Sequence, residues 1–170
     1  RPAYAGNIDN TIIGHSQFDI FGYRTDGLFQ SQAEVDGAPT QIGADPGRIK
    51  YVDINNDGVI NSLDQDWIGT TLPAAEYGLR FDATYKKLDF TVFGAGVVGR
   101  EGFDVYTVFN NLMRGRENVG PGVFNGWTPQ NTDTNVPALT LKDNNGEGRT
   151  SDYFIVNTSY LQIKKYAIGL

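Results

Sequence analysis

The sequence predicts an all-β fold of antiparallel strands, read as part of a transmembrane β-barrel with long loops. Three observations predict it. Apolar and polar side chains alternate with a period of two over residues 76–86, and again from residue 88. A two-residue turn, Lys86-Lys87, is followed by an irregular excursion of about 55 residues after Gly99. Membrane barrels carry that asymmetry as a rule, and compact soluble domains rarely do. The 170 residues include Gly 21, Phe 10 and Tyr 9 but a single Met, the composition of aromatic strands and glycine-rich turns.

In chain order, Ser16 to Gln30 comes first, with Phe18, Ile20, Tyr23, Leu28 and Phe29. It is expected to supply a strand or a pair of strands around Thr25-Asp26-Gly27. Gly47-Arg48-Ile49-Lys50-Tyr51-Val52 then alternates and is rich in strand formers. It runs into residues 53–64, the D-x-[DN]-x-[DN]-G pattern of a twelve-residue calcium loop with an acidic closing residue. Asp53, Asn55 and Asp57 hold positions 1, 3 and 5, so alternate side chains can converge on one hard cation. Gly58 permits the sharp turn at position 6, Val59 offers its carbonyl at position 7, and Asn61 at position 9 acts through water. Ile60 is the apolar anchor, and Asp64 closes the loop with a shorter arm than the usual Glu. A metal-free Asn/Asp/Gly-rich turn is the competing reading. The flanks are not those of an EF-hand, because a strand pattern enters and the stretch from Gln65 to Pro73 has room for one helical turn at most. The loop is therefore expected to sit on β-structure and brace a long connection, rather than act as a switch.

Residues 76–86 place Tyr77, Leu79, Phe81, Ala83 and Tyr85 on one face and Glu76, Gly78, Arg80, Asp82, Thr84 and Lys86 on the other. Leu88, Phe90 and Val92 continue the apolar phase against Asp89 and Thr91, until Gly94 and Gly96 blur it. The two segments form an antiparallel hairpin of strands of about 11 residues, the length a tilted strand needs to cross a bilayer. Tyr at both ends of the apolar face suits a lipid-facing stripe with an aromatic girdle at each interface. The inner face of a soluble sandwich alternates in the same way. Residues 99–155 form the long loop region, with a helical turn or two expected near Tyr106 to Arg116. A last strand runs from Ser159 to Leu170, where Leu161 and Ile163 share one phase and Tyr166, Ile168 and Leu170 the other. The slip at Lys164-Lys165 reads as a bulge. Four or five long strands are too few to close a barrel, whose minimum is about 8.

Composition narrows the function. A net charge of −6 leaves nothing to compensate phosphate repulsion, which excludes nucleic acid as a partner. With no cysteine there is neither a disulfide framework nor a thiolate metal site. Arg1-Pro2-Ala3-Tyr4 does not read as a signal peptide, and no run approaches the ~20 apolar residues of a membrane helix. The carboxylates form no recognisable acid/base pair or nucleophile elbow, and His15 has no carboxylate at a suggestive spacing, so no enzyme is expected.

The segments Phe21-Gly22-Tyr23-Arg24-Thr25-Asp26-Gly27-Leu28-Phe29, Gly47 through Ile60 with Asp64 and Ile68-Gly69, Glu76-Tyr77-Gly78-Leu79, and Ser151-Asp152-Tyr153-Phe154-Ile155 leading to Ser159 through Lys165 occur in this order. In them, nearly the whole chain resembles the SusC-like TonB-dependent outer-membrane transporters. The resemblance implies that residues 1–170 are a C-terminal part of an about 22-stranded barrel in the outer membrane of a Gram-negative cell. It implies a nutrient importer for glycans or peptides, energised by TonB through an N-terminal part, with outer-membrane lipid around it and a SusD-like surface lipoprotein as lid. It also implies that the calcium-type loop lies on an outward-facing connection. Tyr106, Phe109, Phe124 and Trp127 are then candidate loop aromatics, stacking on substrate or packing against the lid, with packing inside the loop as the competing reading. The rival from another class is a secreted, soluble, calcium-stabilised β-module that binds carbohydrate. It would fold in buffer without detergent, whereas an open sheet with a lipid face and free edges would not.

Overall fold

The computed structural model describes residues 14–110, 112, 120–140 and 144–169. In chain order its strands are β1 (Asp19–Tyr23), β2 (Thr25–Leu28), β3 (Ile49–Tyr51), β4 (Gln65–Thr70), β5 (Ala75–Tyr85), β6 (Leu88–Val98), β7 (Glu101–Phe103), β8 (Ile155–Asn157) and β9 (Tyr160–Gly169). Two short helices, α1 (Gln32–Gly37) and α2 (Val105–Asn110), and several 3-10 turns accompany them. The chain forms two units, Arg1–Gly69 with Phe103–Ile155, and Thr70–Gly102 with Val156–Leu170.

The smaller unit is a three-stranded antiparallel sheet in the order β5-β6-β9. Lys86, in the left-handed region at φ 58, turns β5 into β6, and Tyr85 then faces Leu88 while Ala75 faces Val98. Directly opposed residues of an antiparallel pair share a face. One face therefore carries Tyr77, Leu79, Phe81, Ala83 and Tyr85 from β5, opposite Gly96, Gly94, Val92, Phe90 and Leu88 of β6. Leu161, Ile163, Tyr166 and Ile168 of β9 extend it on the far side of β6. The register between β6 and β9 slips where Phe93 faces Lys165 and Gly94 faces Ile163, which leaves Lys164 as the extra residue of a bulge. Without that residue Leu161 and Ile163 would lie on the face opposite to Tyr166 and Ile168.

This apolar face is open. Leu79, Phe81, Tyr85, Leu161, Ile163, Tyr166 and Ile168 are 58% to 79% exposed, the reverse of what a sandwich interior would show. The opposite face carries Arg80, Asp82, Thr84, Asp89 and Thr91, with Arg80 holding Asp82 at 2.7 Å and the Thr91 hydroxyl donating to Asp82 at 2.7 Å. Among the described residues β5 and β9 each pair with β6 alone, so both outer edges keep unspent hydrogen-bonding groups. The preceding and connecting chain joins the sheet at the end marked by Ala75, Val98 and Tyr160, away from the Lys86-Lys87 turn.

The larger unit has the hydrophobic cores. Tyr23, Leu28, Ile49, Tyr51, Ile60 and Trp127 form one, with Ala138 and Tyr153 against it. Val108, Leu112 and Phe154 form a second, flanked by Phe103 and Tyr153. β1 pairs with β4 and β2 with β3. The segment forms a pair of strands, with Thr25-Asp26-Gly27 inside β2, and the chain breaks at Arg24, where β1 and β2 part to meet different partners. Arg24 fixes that break by ion-pairing with Asp66 at 2.8 Å and accepting the Val52 amide at 3.0 Å. The Ser31 hydroxyl caps α1 by accepting the Glu34 amide at 3.2 Å.

Candidate functional site

Residues 53–64 enter directly from β3 and leave through a 3-10 turn, Ser62–Asp64, into β4, so the loop does sit on β-structure. Its polar side chains hold its own backbone. Asp53 Oδ2 accepts the Gly58 amide at 2.8 Å, Asn55 Oδ1 accepts the Asp57 amide at 2.9 Å, and Asp57 Oδ1 accepts the Val59 amide at 2.9 Å. Asn56 and Gly58 take the left-handed conformation these turns require, at φ 59 and 84. Asn61 donates to the Val59 carbonyl at 3.1 Å and to Asp57 Oδ2 at 3.4 Å.

Asp64 behaves differently from the rest. It is fully buried, and its two oxygens accept the amides of Ile54 at 3.0 Å and Asn61 at 2.7 Å, completing a capping box with Asn61. It staples the first and last thirds of the loop together. Ile60 is buried in the first core, as an anchor must be, while Val59 is exposed. Asp53 Oδ1 is buried with no hydrogen-bond partner, a hard donor left over at position 1. Oxygen donors and that orphaned carboxylate oxygen suit a calcium ion, although no group of three acidic or imidazole side chains forms a metal cluster among the described residues. The hydrogen bonds from Asn55 and Val59 keep the Asp57 carboxyl below its usual range.

Next to the loop lies an open cavity of about 380 Å³ lined by Asp26, Glu34, Lys50, Tyr51, Asp53 and Asn56. Lys50 bridges Asp26 at 2.6 Å and Glu34 at 2.9 Å. The Asp26 hydrogen bond raises the Lys50 ammonium, and the Gln30 amide, then Lys50, lowers the Glu34 carboxyl. The clasp escaped sequence reasoning, although Ser31-x-x-Glu34 is a legible capping pattern that would have placed Glu34 at a helix start.

The loop aromatics separate. Tyr106 is 71% exposed on α2 and Phe124 is 90% exposed in the 3-10 turn Pro121–Asn125. The Phe109 side chain lies outside the described residues. Trp127 is no stacking platform: it is 8% exposed, its ring packs against the backbone at Gly47, and its indole N–H donates to Gln30 Oε1 at 2.8 Å. Packed against Gly47, it serves the core, because a residue without a side chain at that left-handed position (φ 80) leaves room for the ring and for Ala138. His15 does find a carboxylate, Asp19 at 3.4 Å, and stacks on Trp67 with ring centroids 4.0 Å apart.

No family model matches the chain. It is 29% identical over 157 residues to TonB-dependent receptor P3 of Formosa agariphila and 28% identical over 153 residues to TonB-dependent receptor P26 of the same organism. The matches cover 92% and 90% of this chain. The chain spans only 15% of the length of each of these relatives. A solved structure, that of the RagAB peptide transporter, shares its fold with a TM-score of 0.63 at 17% identity, covering 87% of this chain and 15% of that one. Receptors of this kind are outer-membrane proteins of Gram-negative bacteria. In sequence this chain is similar to a segment of TonB-dependent receptors, and its fold is that of a segment of the RagAB peptide transporter structure.

Proposed function

We propose that the chain forms part of the wall and outward loops of an outer-membrane nutrient importer, driven through TonB and lidded by a SusD-like lipoprotein, that carries glycans or peptides. The observation that carries this reading is the continuous, solvent-open apolar face of β5, β6 and β9, which Lys164 keeps in phase across all three strands. In water such a face with two free edges would aggregate, whereas in a bilayer the hydrocarbon covers the face and neighbouring strands close the edges. The polar face, with Arg80, Asp82 and Thr84, then lines the interior. The name of the RagAB peptide transporter favours peptides within this reading.

Within the same reading the loop of residues 53–64 takes a calcium ion on Asp53, Asn55, Asp57, the Val59 carbonyl and Asn61, with Asp64 closing the loop. Calcium supplies rigidity there, and no chemistry. Two ligating carboxylates with amide and carbonyl oxygens belong to the weak class of sites, with Kd of about 10⁻⁴–10⁻³ M.

Residues 1–170 contain no cysteine, so single labels can be placed in them once any cysteine elsewhere in the intact protein is replaced. Environment-sensitive probes on Leu79→Cys, Phe81→Cys or Ile163→Cys in the intact protein, reconstituted with brominated lipid, are expected to be quenched. Probes on Arg80→Cys or Gln162→Cys are expected not to be. Equal quenching on the two faces, or none on either, overturns the wall assignment.

A further inference from the structure

Residues 40–43 touch two things at once. Thr40 is zipped to the acidic loop, its amide donating to the Gly58 carbonyl at 2.8 Å and its carbonyl accepting the Ile60 amide at 2.9 Å. Gln41, 7% exposed, donates from Nε2 to Asn145 Oδ1 at 2.6 Å and to the Ile49 carbonyl at 2.7 Å, and accepts the Tyr51 amide at 3.0 Å. Gly43, at φ 72, lies so close to the backbone of Asn144 that a first side-chain carbon there would come within 2.3 Å of its carbonyl oxygen.

The far side of this contact is equally tied down. Asn145 is 1% exposed and donates to the Ile49 carbonyl at 3.1 Å. Glu147 accepts the Ile49 amide at 3.1 Å and pairs with Arg48 at 2.9 Å. Arg149 lies over the rings of Tyr51 and Tyr23, at 4.4 and 4.9 Å, and donates to the carbonyls of Gly146 and Asn145. Residues 144–151 thus hold the three-residue strand β3, the acidic loop holds Thr40, and its neighbour Gln41 bonds both the strand and Asn145, as Glu147 does from the other side. Breaking any of these buried bonds leaves polar groups unpaired.

We infer that residues 53–64 and 144–151 open and close as one unit through the Gln41–Asn145 bond, so that a divalent cation bound in the acidic loop tightens the distant segment. The trigger rests on the calcium reading above; the coupling does not. Because Gln41 orders β3 and Asn145 together, whatever holds Thr40 in place restrains 144–151, which gives bracing by the loop a specific route.

Hydrogen exchange on the intact protein in detergent tests this, with Ca²⁺ against chelator as the probe. Calcium is expected to slow amide exchange about fivefold or more in both segments of the native protein, and only in residues 53–64 of Gln41→Met. Slowing confined to 53–64 in the native protein overturns the coupling, as does slowing of both segments in Gln41→Met. If calcium slows neither, the calcium reading fails, and native exchange in rising urea decides the coupling: common opening of the two segments sustains it and separate opening overturns it. Gly43→Ala, which pushes on Asn144 without touching Gln41, is expected to speed exchange of both segments; unchanged exchange in either overturns the coupling.

Discussion

The phenol of Tyr77 lies across Gly96 of the neighbouring strand, where a first side-chain carbon would come within 2.4 Å of the Tyr77 hydroxyl oxygen and 2.5 Å of the Tyr160 carbonyl. Gly96 faces Tyr77 directly in the β5–β6 register. The glycine is thus the seat of the aromatic ring, which fills the gap that an absent side chain leaves in the apolar face.

Gly96→Ala is therefore expected to displace Tyr77 and cost about 1–3 kcal/mol, because the backbone carbonyl of Tyr160 blocks relaxation on the other side. Gly37→Ala at the end of α1, where a side chain meets nothing within 4 Å, should be nearly silent. Urea unfolding of both variants of the intact protein in lipid vesicles checks this, and equal costs would dismiss the ring-seat argument.

Phe81→Arg places a charge in the middle of the open apolar face and is expected to cost about 2–4 kcal/mol near the bilayer midplane. Thr84→Arg, on the opposite face beside Asp89, should cost little. The comparison is made in the same vesicles, and similar losses at both positions would mean that the two faces meet the same medium.

Gly47→Ala meets both a left-handed backbone and the Trp127 ring, 2.5 Å from the new carbon. Strain and overpacking together are expected to destabilise the larger unit by about 2–4 kcal/mol. These residues hold two tryptophans, Trp67 and Trp127, so the difference in emission between Trp127→Phe and its parent, with and without Gly47→Ala, isolates the affected ring. An unchanged spectrum and melting point would show that the backbone at Gly47 yields.

Calcium should raise the melting temperature of the intact protein at millimolar concentration, following RT ln(1 + [L]/Kd). Asp53→Ala and Asp57→Ala should abolish the rise. If either variant melts as the native protein does in calcium relative to chelator, the loop is a plain turn.

Burial pushes the Glu147 carboxyl above its ordinary value of 4.5, against the opposing pull of Arg48 and the Ile49 amide. The folded state then holds the proton at a pH where the unfolded chain has released it. This group's contribution to stability is full below 4.5 and is lost as pH rises through the raised value. The melting temperature of the native protein minus that of Glu147→Gln should move in favour of the native protein as pH falls from neutral toward 4.5. A difference flat with pH would show that Arg48 fully compensates the burial. The same burial, and then the charge of Glu147, pushes the Tyr153 hydroxyl up to about 12, so that ring stays neutral throughout.

Whatever a short stretch of chain dictates by its own period was decided before folding. Alternation set the two faces of β5 and β6, the doublet Lys86-Lys87 set the hairpin, and the phase change at Lys164-Lys165 set the bulge that keeps Leu161 and Tyr166 on one side. Gly94 and Gly96 looked like interruptions only because their role, a seat for Tyr77, belongs to the strand next door. The spacing of residues 53–64 likewise dictated a loop of calcium type on β-structure, with Ile60 as its anchor. Tertiary structure decided the rest. Trp127 is a core residue because Gly47 leaves room for the ring and Gln30 offers an acceptor, 97 residues away in sequence. Asp64 became a staple because it is buried and the amides of Ile54 and Asn61 claimed its two oxygens. Gln41 with Asn145 and Arg48 with Glu147 met across separations of 104 and 99 residues. Periodicity acts between neighbours along the chain and is written there. Complementarity between distant side chains exists only once the loop entropy of bringing them together has been overcome, and no local pattern records which partners will do so.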